Sequence, residues 1–293
     1  RMQERALSAH FVEVERNNDV TFNEHGAGRH ALEDHRFEVD ARTQRLCVVA
    51  GVEDEDVIVT HCGESHHATV ADQAVADGHP QRGVFLPPIS LPRRMFAGGR
   101  MVQHAPLAIG GEVEQLERIA AVEDKASAGG RLVVVRVEYE YRQEGQLCLS
   151  EERDLIYLED RGPTPAPGAS ETVADAAWQR DWEIDPVLLF RYSALTFNSH
   201  RIHYDQRYAR EEEGYPDLVV HGPLQATWLL GLARKELGGS LPERFDFRGR
   251  SPLFDGQTVG INARREGEDR LALWVTAQDG VVTLDATASG RAG

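Results

Sequence analysis

The sequence predicts an α+β protein in which antiparallel sheet wraps around a central helix, once in each half of the chain. Three observations carry this expectation. One strongly apolar helix, PLQATWLLGLARKEL, starts at Pro223 and is stopped by Gly238-Gly239. Three β-rich runs follow it, TVGINARRE, LALWVTAQ and VVTLDATAS, separated by Gly-containing turns. The first half carries its own pair of β-rich runs, RLVVVRVEYEY at 131–141 and QLCLSEERDLIYL at 146–158. A buried helix followed by a meander of strands is the hot-dog arrangement. Because the first half repeats the strand portion, the expected architecture is a double hot-dog with a degenerate N-terminal copy.

Each element has a local cause. Proline at the helix start has no N–H to leave unsatisfied, and the paired glycines end the helix where a side chain would be strained. The helix is apolar on nearly every side (Leu224, Trp228, Leu229, Leu230, Leu232), so it is expected to be buried. The runs at 131–141 and 146–158 are joined by Arg142-Gln143-Glu144-Gly145, which predicts a hairpin. GVFLPPISLPRRMFAGG is apolar but too rich in proline for a helix, so it is expected to run extended along a core. EDRGPTPAPGASETVADA cannot pack a core and is read as a linker. The resulting division is an N-terminal domain at 1–160, a linker at 161–176 and a catalytic C-terminal domain at 177–293.

Residues 1–74 stand apart within the first domain. The first 79 residues contain no Pro, Trp, Tyr or Lys, yet hold eight of the twelve histidines. RFEVDARTQRLCVVAGVEDEDVIVTH alternates enough for strands. His10, His25, His30 and His35 share neither a helical face nor a chelating spacing, so no metal is expected there. The composition suits a segment that is poorly ordered, or translated from a wrong start or shifted frame.

The formal charge of −16 argues against a nucleic-acid partner, which needs a basic face. No run of 18 apolar residues is present, so no membrane span is expected, and no signal-peptide pattern opens the chain. Cys47, Cys62 and Cys148 are few and odd in number, which suits a reduced, cytoplasmic setting. Arg93, Arg94 and Arg100 form a local cluster, either a solvated basic turn or an anion site.

Chemistry concentrates between Phe190 and Leu224. This span holds His200, His203 and His221, with Asn198 and Asp205 among them, directly before the apolar helix. Titratable residues are costly to bury, so such density suggests a site. His203 is a candidate general base if a neighbour fixes its tautomer; the alternative is a structural histidine bonded to backbone. Asn198 can orient a water or a carbonyl but cannot act as a base; as a turn residue it would be unremarkable in chemistry. Gly222 begins the helix, where unpaired amides carry partial positive charge and could face an oxyanion; ordinary capping is the alternative. There is no GxSxG, GxGxxG, P-loop or HExxH pattern, and Ser193 and Ser199 lack an elbow context for a nucleophile.

These residues resemble the catalytic segment of MaoC-type enoyl-CoA hydratases and hydroxyacyl-thioester dehydratases. In that family an Asp is followed by an Asn two residues later and a His five residues later, before a buried helix introduced by His-Gly. Here Asn198, His200 and His203 stand at those three positions, and Gly222 matches the oxyanion glycine. TFNSHRIHYD and GYPDLVVHGPL, with DGHPQRGVFLPPISLPRRMFAGGR upstream, are similar to the two-domain subgroup that includes itaconyl-CoA and mesaconyl-CoA hydratases. The resemblance spans about 75–290. It implies reversible hydration of an enoyl-CoA thioester, short and branched or dicarboxylic in its acyl group. His203 would be the base, Asn198 the positioning amide and Gly222 the oxyanion donor. Substrate contacts would come from Arg93 and Arg94, suited either to the CoA phosphates or to a free carboxylate on the acyl group, and from His200, His221, Tyr204 and Asp205, with Asp205 or Tyr204 standing in for the missing carboxylate. No cofactor or metal is implied. The expected partners are an acyl-CoA thioester and, as a homodimer, a second copy of the chain. A non-catalytic acyl-thioester-binding subunit and a thioesterase are the alternatives on the same fold.

Overall fold

The computed structural model describes residues 76–79, 82–83, 85–108, 111–127, 130–159, 178–196 and 198–290, together with the backbone of 42–47. The linker expected at 161–176 and most of 1–74 lie outside the described residues. Ten strands form one antiparallel sheet: β1 (Arg42–Cys47), β2 (Arg93–Gln103), β3 (Glu112–Ser127), β4 (Gly130–Gln143), β5 (Gln146–Leu158), β6 (Trp178–Glu183), β7 (Arg244–Gly249), β8 (Thr258–Arg265), β9 (Arg270–Thr276) and β10 (Val282–Ser289). Their order across the sheet is β1-β3-β4-β5-β2-β7-β10-β9-β8-β6. Five strands from the first half are therefore joined to five from the second through the β2–β7 pair, where Gly99 faces Phe247.

The hairpin forms as the sequence predicts. Gln143 pairs with Gln146, and the two residues between them, Glu144 and Gly145, both take positive φ (52° and 78°). Such two-residue turns match the twist of the strands they join. Along β4 burial alternates, and Val133, Val135, Val137, Tyr139 and Tyr141 make the inner face. The 85–92 segment is irregular and leads into β2, with Leu91 buried in this first core.

Among the described residues the second half contains three α-helices: α1 (Pro186–Leu195), α2 (Gln206–Glu211) and α3 (Gly222–Glu236). Helix α3 is the one expected from the sequence, and Gly238 and Gly239 follow it at φ 87° and 91°. It packs on β8, β9 and β10 and touches β7 and β2. Its buried residues Leu224, Leu229 and Ala233 meet Phe245, Val259, Leu273, Val275 and Leu284. This is the helix-in-sheet core of a hot-dog. Trp228, Leu230 and Leu232 are only partly buried, so burial of α3 is one-sided rather than complete. Among the described residues no helix accompanies the first five strands. Helix α1, strand β3 and strand β7 were not expected from the sequence.

Candidate active site

The chain that builds the site leaves α1 and turns twice before α3. Asp185 caps α1 by accepting the Leu188 N–H at 2.7 Å, and Pro186 opens the helix. After Thr196 the chain folds back, and the Asn198 N–H donates to the Ser193 carbonyl at 2.9 Å. A single 3-10 turn, Arg201–His203, then presents His203. The return segment 218–221 is pinned on both sides, since Val219 donates to the Ile202 carbonyl (2.9 Å) and Val220 to the Leu253 carbonyl (2.8 Å). That segment delivers His221 and Gly222 beside the 3-10 turn.

His203 is 7% exposed, and its Nδ1 lies 2.7 Å from the Val219 carbonyl oxygen. A carbonyl only accepts, so Nδ1 carries the proton and Nε2 is left as the basic nitrogen. Burial pushes the His203 pKa down to about 4, partly offset by this backbone bond. The ring is thus neutral at pH 7, the state a general base requires. His221 is fully buried and stacks on His203 with centroids 3.7 Å apart and planes 19° apart. Its Nε2 is 2.8 Å from Ser193 Oγ. His200 meets His203 edge-on at 5.6 Å, and His79 lies 4.1 Å from His200. Four imidazoles therefore form a row. Burial, followed by mutual repulsion with the other histidines, holds His200 and His221 well below the ordinary histidine range; Arg94 adds to the effect on His200.

One large cavity, of 2490 Å³, is lined by His79, Arg94, Phe96, Asn198, His200, His203 and Gly222 among others. Asn198 also holds the loop, its Oδ1 accepting the His200 N–H at 3.1 Å. Gly222 opens α3, whose N-terminus takes no side-chain cap. A Cβ at position 222 would lie 3.1 Å from the Phe96 ring, so glycine permits the close approach of the Phe96 side chain to the start of α3.

Four sequence candidates are placed elsewhere. His221 lies behind His203 rather than on the wall. Arg93 is held by Glu213, with an ion pair at 3.6 Å and a bond to its carbonyl, and lies over the Tyr215 ring. Tyr204 is 41% exposed and donates to the Ser199 carbonyl at 2.8 Å. Asp205 caps α2 through the Tyr208 N–H (3.0 Å) and pairs with Arg201 at 2.7 Å. Those bonds hold its pKa low, with the backbone N–H the larger cause. Asp205→Ala is therefore expected to lower the thermal midpoint while leaving kcat intact; a collapse of kcat with the midpoint unchanged would reverse that placement. Ser193 and Ser199 are both engaged, the first with His221 and the second with the Gly78 carbonyl. His79, missed in the sequence, joins the site from more than a hundred residues upstream, with no local pattern to mark it. Asp77, His79 and His200 bring one ligating atom each to within 4.8 Å of one another. The Arg94 guanidinium, 3.4 Å from His79 Nδ1, opposes a cation there.

Gly222 at the start of the helix and neutral His203 line one cavity of a hot-dog sheet, an arrangement that fits a hydro-lyase of the MaoC-like class. The chain belongs to the hydroxyacyl-thioester dehydratase type 2 family, whose model matches residues 61–255. It is 48% identical over 217 residues to the mesaconyl-C(4)-CoA hydratase of Chloroflexus aurantiacus, covering 73% of this chain and 76% of that protein. It is 35% identical over 139 residues to the mitochondrial hydroxyacyl-thioester dehydratase type 2 of Schizosaccharomyces pombe, covering 46% and 44% of the two chains. The MaoC-like dehydratase from Phytophthora capsici shares the fold, with a TM-score of 0.54 at 16% identity over 72% of this chain and 78% of that one.

Proposed function

We propose that the protein adds water reversibly across the α,β double bond of an enoyl-CoA thioester whose acyl group is short and dicarboxylic, of the mesaconyl or itaconyl type. The observation that supports the chemistry best is His203, neutral, tautomer-fixed and lining the same cavity as Gly222. In the hydration direction His203 Nε2 takes a proton from water as the oxygen bonds to Cβ. The C=C pair moves toward the thioester, giving an enolate oxygen against the Gly222 N–H, a contribution of about 3 kcal/mol in comparable oxyanion sites. The imidazolium then gives its proton to Cα, which regenerates neutral His203 and completes the addition of H and OH. A histidine with a low pKa is a modest base but a strong acid once protonated, so the second transfer is favoured. Asn198 holds the water or carbonyl in line. Tyr204 and Asp205, engaged elsewhere, are not needed for this sequence of steps.

The cavity exceeds the roughly 300–1,000 Å³ of a drug-sized ligand site, leaving room for the carrier as well as the acyl group. The strand order, five from each half, supports a double hot-dog whose first half is degenerate, with the division at 1–160, 161–176 and 177–293. Val187, Phe190 and Leu195 expose an apolar face on α1, which favours association of two copies. Loss of the enoyl-thioester absorbance with mesaconyl-C4- and crotonyl-CoA, and formation of the hydroxyacyl thioester from itaconyl-CoA, tests the reading. Turnover of a dicarboxylic thioester supports it; binding without turnover identifies a non-catalytic subunit, and release of free thiol identifies a thioesterase.

A further inference from the structure

Arg94 is a cavity-lining cation beside His79 and His200, and its position in the fold bears on which acyl groups the site selects. It lies two residues before Phe96 on β2, and alternation along a strand puts both side chains on one face. The Phe96 ring lies against Gly222, so β2 carries residue 94 to within one pleat repeat, about 7 Å, of the strand position that covers the oxyanion amide. Arg94 lines the same cavity as Asn198, His200 and His203. Its Nη1 approaches His79 Nδ1 at 3.4 Å, and its charge disfavours a proton on His200. The guanidinium thus lies beside both imidazoles at this end of the site.

Resting on the hydration reading, we propose that Arg94, with His79 beside it, is the subsite for the free carboxylate of a dicarboxylic acyl thioester. In a four-carbon trans-unsaturated diacid the second carboxyl carbon is three bonds from the thioester carbon, about 4 Å away. With the thioester oxygen on Gly222, that carboxylate falls between the amide and the guanidinium. A guanidinium matches a carboxylate in a two-pronged fork, and burial in the cavity strengthens the match. Arg93 is not part of the cavity lining and lies instead against Glu213 and Tyr215. Asp77 accepts the His79 backbone N–H at 2.8 Å and so holds the chain that carries this imidazole. The same guanidinium argues for an anion, rather than a metal ion, among Asp77, His79 and His200.

The test compares a carboxylate-bearing thioester with its uncharged counterpart. For wild type, Arg94→Gln and Arg94→Lys, kcat/KM is measured on mesaconyl-C4-CoA and on crotonyl-CoA, alongside equilibrium binding of the unreactive succinyl-CoA and butyryl-CoA. The ratio of the two kcat/KM values is expected to fall about 100-fold in Arg94→Gln, mostly through KM, and less in Arg94→Lys. Wild type is expected to bind succinyl-CoA more tightly than butyryl-CoA, and Arg94→Gln to lose that preference. An unchanged ratio, or no preference for succinyl-CoA in wild type, overturns the assignment. Because binding is read without turnover, failure to hydrate either enoyl thioester would overturn the hydration reading while the carboxylate subsite stands or falls on its own. A variant that fails to fold is replaced by the wild-type preference and by Arg94→Lys.

Discussion

Replacing His203 with Gln is expected to lower kcat for hydration by about 10²–10⁴-fold, the range for removing a positioned general acid–base. Glutamine retains an N–H that can reach the Val219 carbonyl, which at 2.7 Å is the bond that orients the native ring. The local backbone is therefore preserved while the titratable nitrogen is lost. Since the proposed cycle passes both protons through Nε2, KM is expected to change little. Steady-state kinetics with circular dichroism on the same preparation checks this. A folded Gln variant with wild-type kcat would show that the base is another group and would return His203 to a structural role.

The second large effect is acid lability. The folded-state pKa of His203 is about 4, against 6.5 for the free side chain. Between those values the unfolded chain binds a proton that the folded chain does not. Stability is then fully present above about pH 6.5, falls as pH drops toward 4, and loses about 3 kcal/mol from this residue alone. His200 and His221, depressed in the same direction by burial, steepen the loss. Urea midpoints at pH 7.5, 6.0, 5.0 and 4.5 are expected to fall steadily, and more shallowly in His203→Gln. Equal midpoints at pH 7.5 and 5.0 would mean that the imidazoles reach solvent and that the row is not buried as described.

Much of the second half was legible because its signals are local. Helix α3 has a proline at its start and glycines at its end, and β8, β9 and β10 follow as apolar runs between turns. The hairpin was legible for the same reason, its turn residues lying between two alternating runs. Strand β3 was not, because its inner face is polar: Gln115 and Glu117 are buried beside Val113, so no apolar alternation marks it. Helix α1 inverts the usual pattern, exposing Val187, Phe190 and Leu195 while burying Ser193. Buried Ser193 is explained by its bond to His221, a partner that no sequence window contains.

Within the candidate site, the sequence marked a cluster of residues, and the structure separates the positions of its members. Asn198, His200, His203 and Gly222 reach one cavity because a 3-10 turn and a pinned return segment bring them together. Tyr204 and Asp205 looked equally close in sequence, yet the chain begins α2 at that point and turns both toward the outside. Arg93 and Arg94 looked equivalent, and strand alternation separates them, sending one to Glu213 and the other to the cavity. His79 arrives only through the tertiary fold.

The account stands on water adding to carbon in this cavity, and isotopic labelling tests that step directly. The protein is incubated with mesaconyl-C4-CoA in 18O-enriched water, and the products are resolved by mass spectrometry. One 18O atom in the β-hydroxyl of an intact thioester, appearing about 10²–10⁴-fold more slowly with His203→Gln, is the expected result. Label in a carboxylate with release of free CoA, or an unlabelled and unchanged thioester, would contradict it.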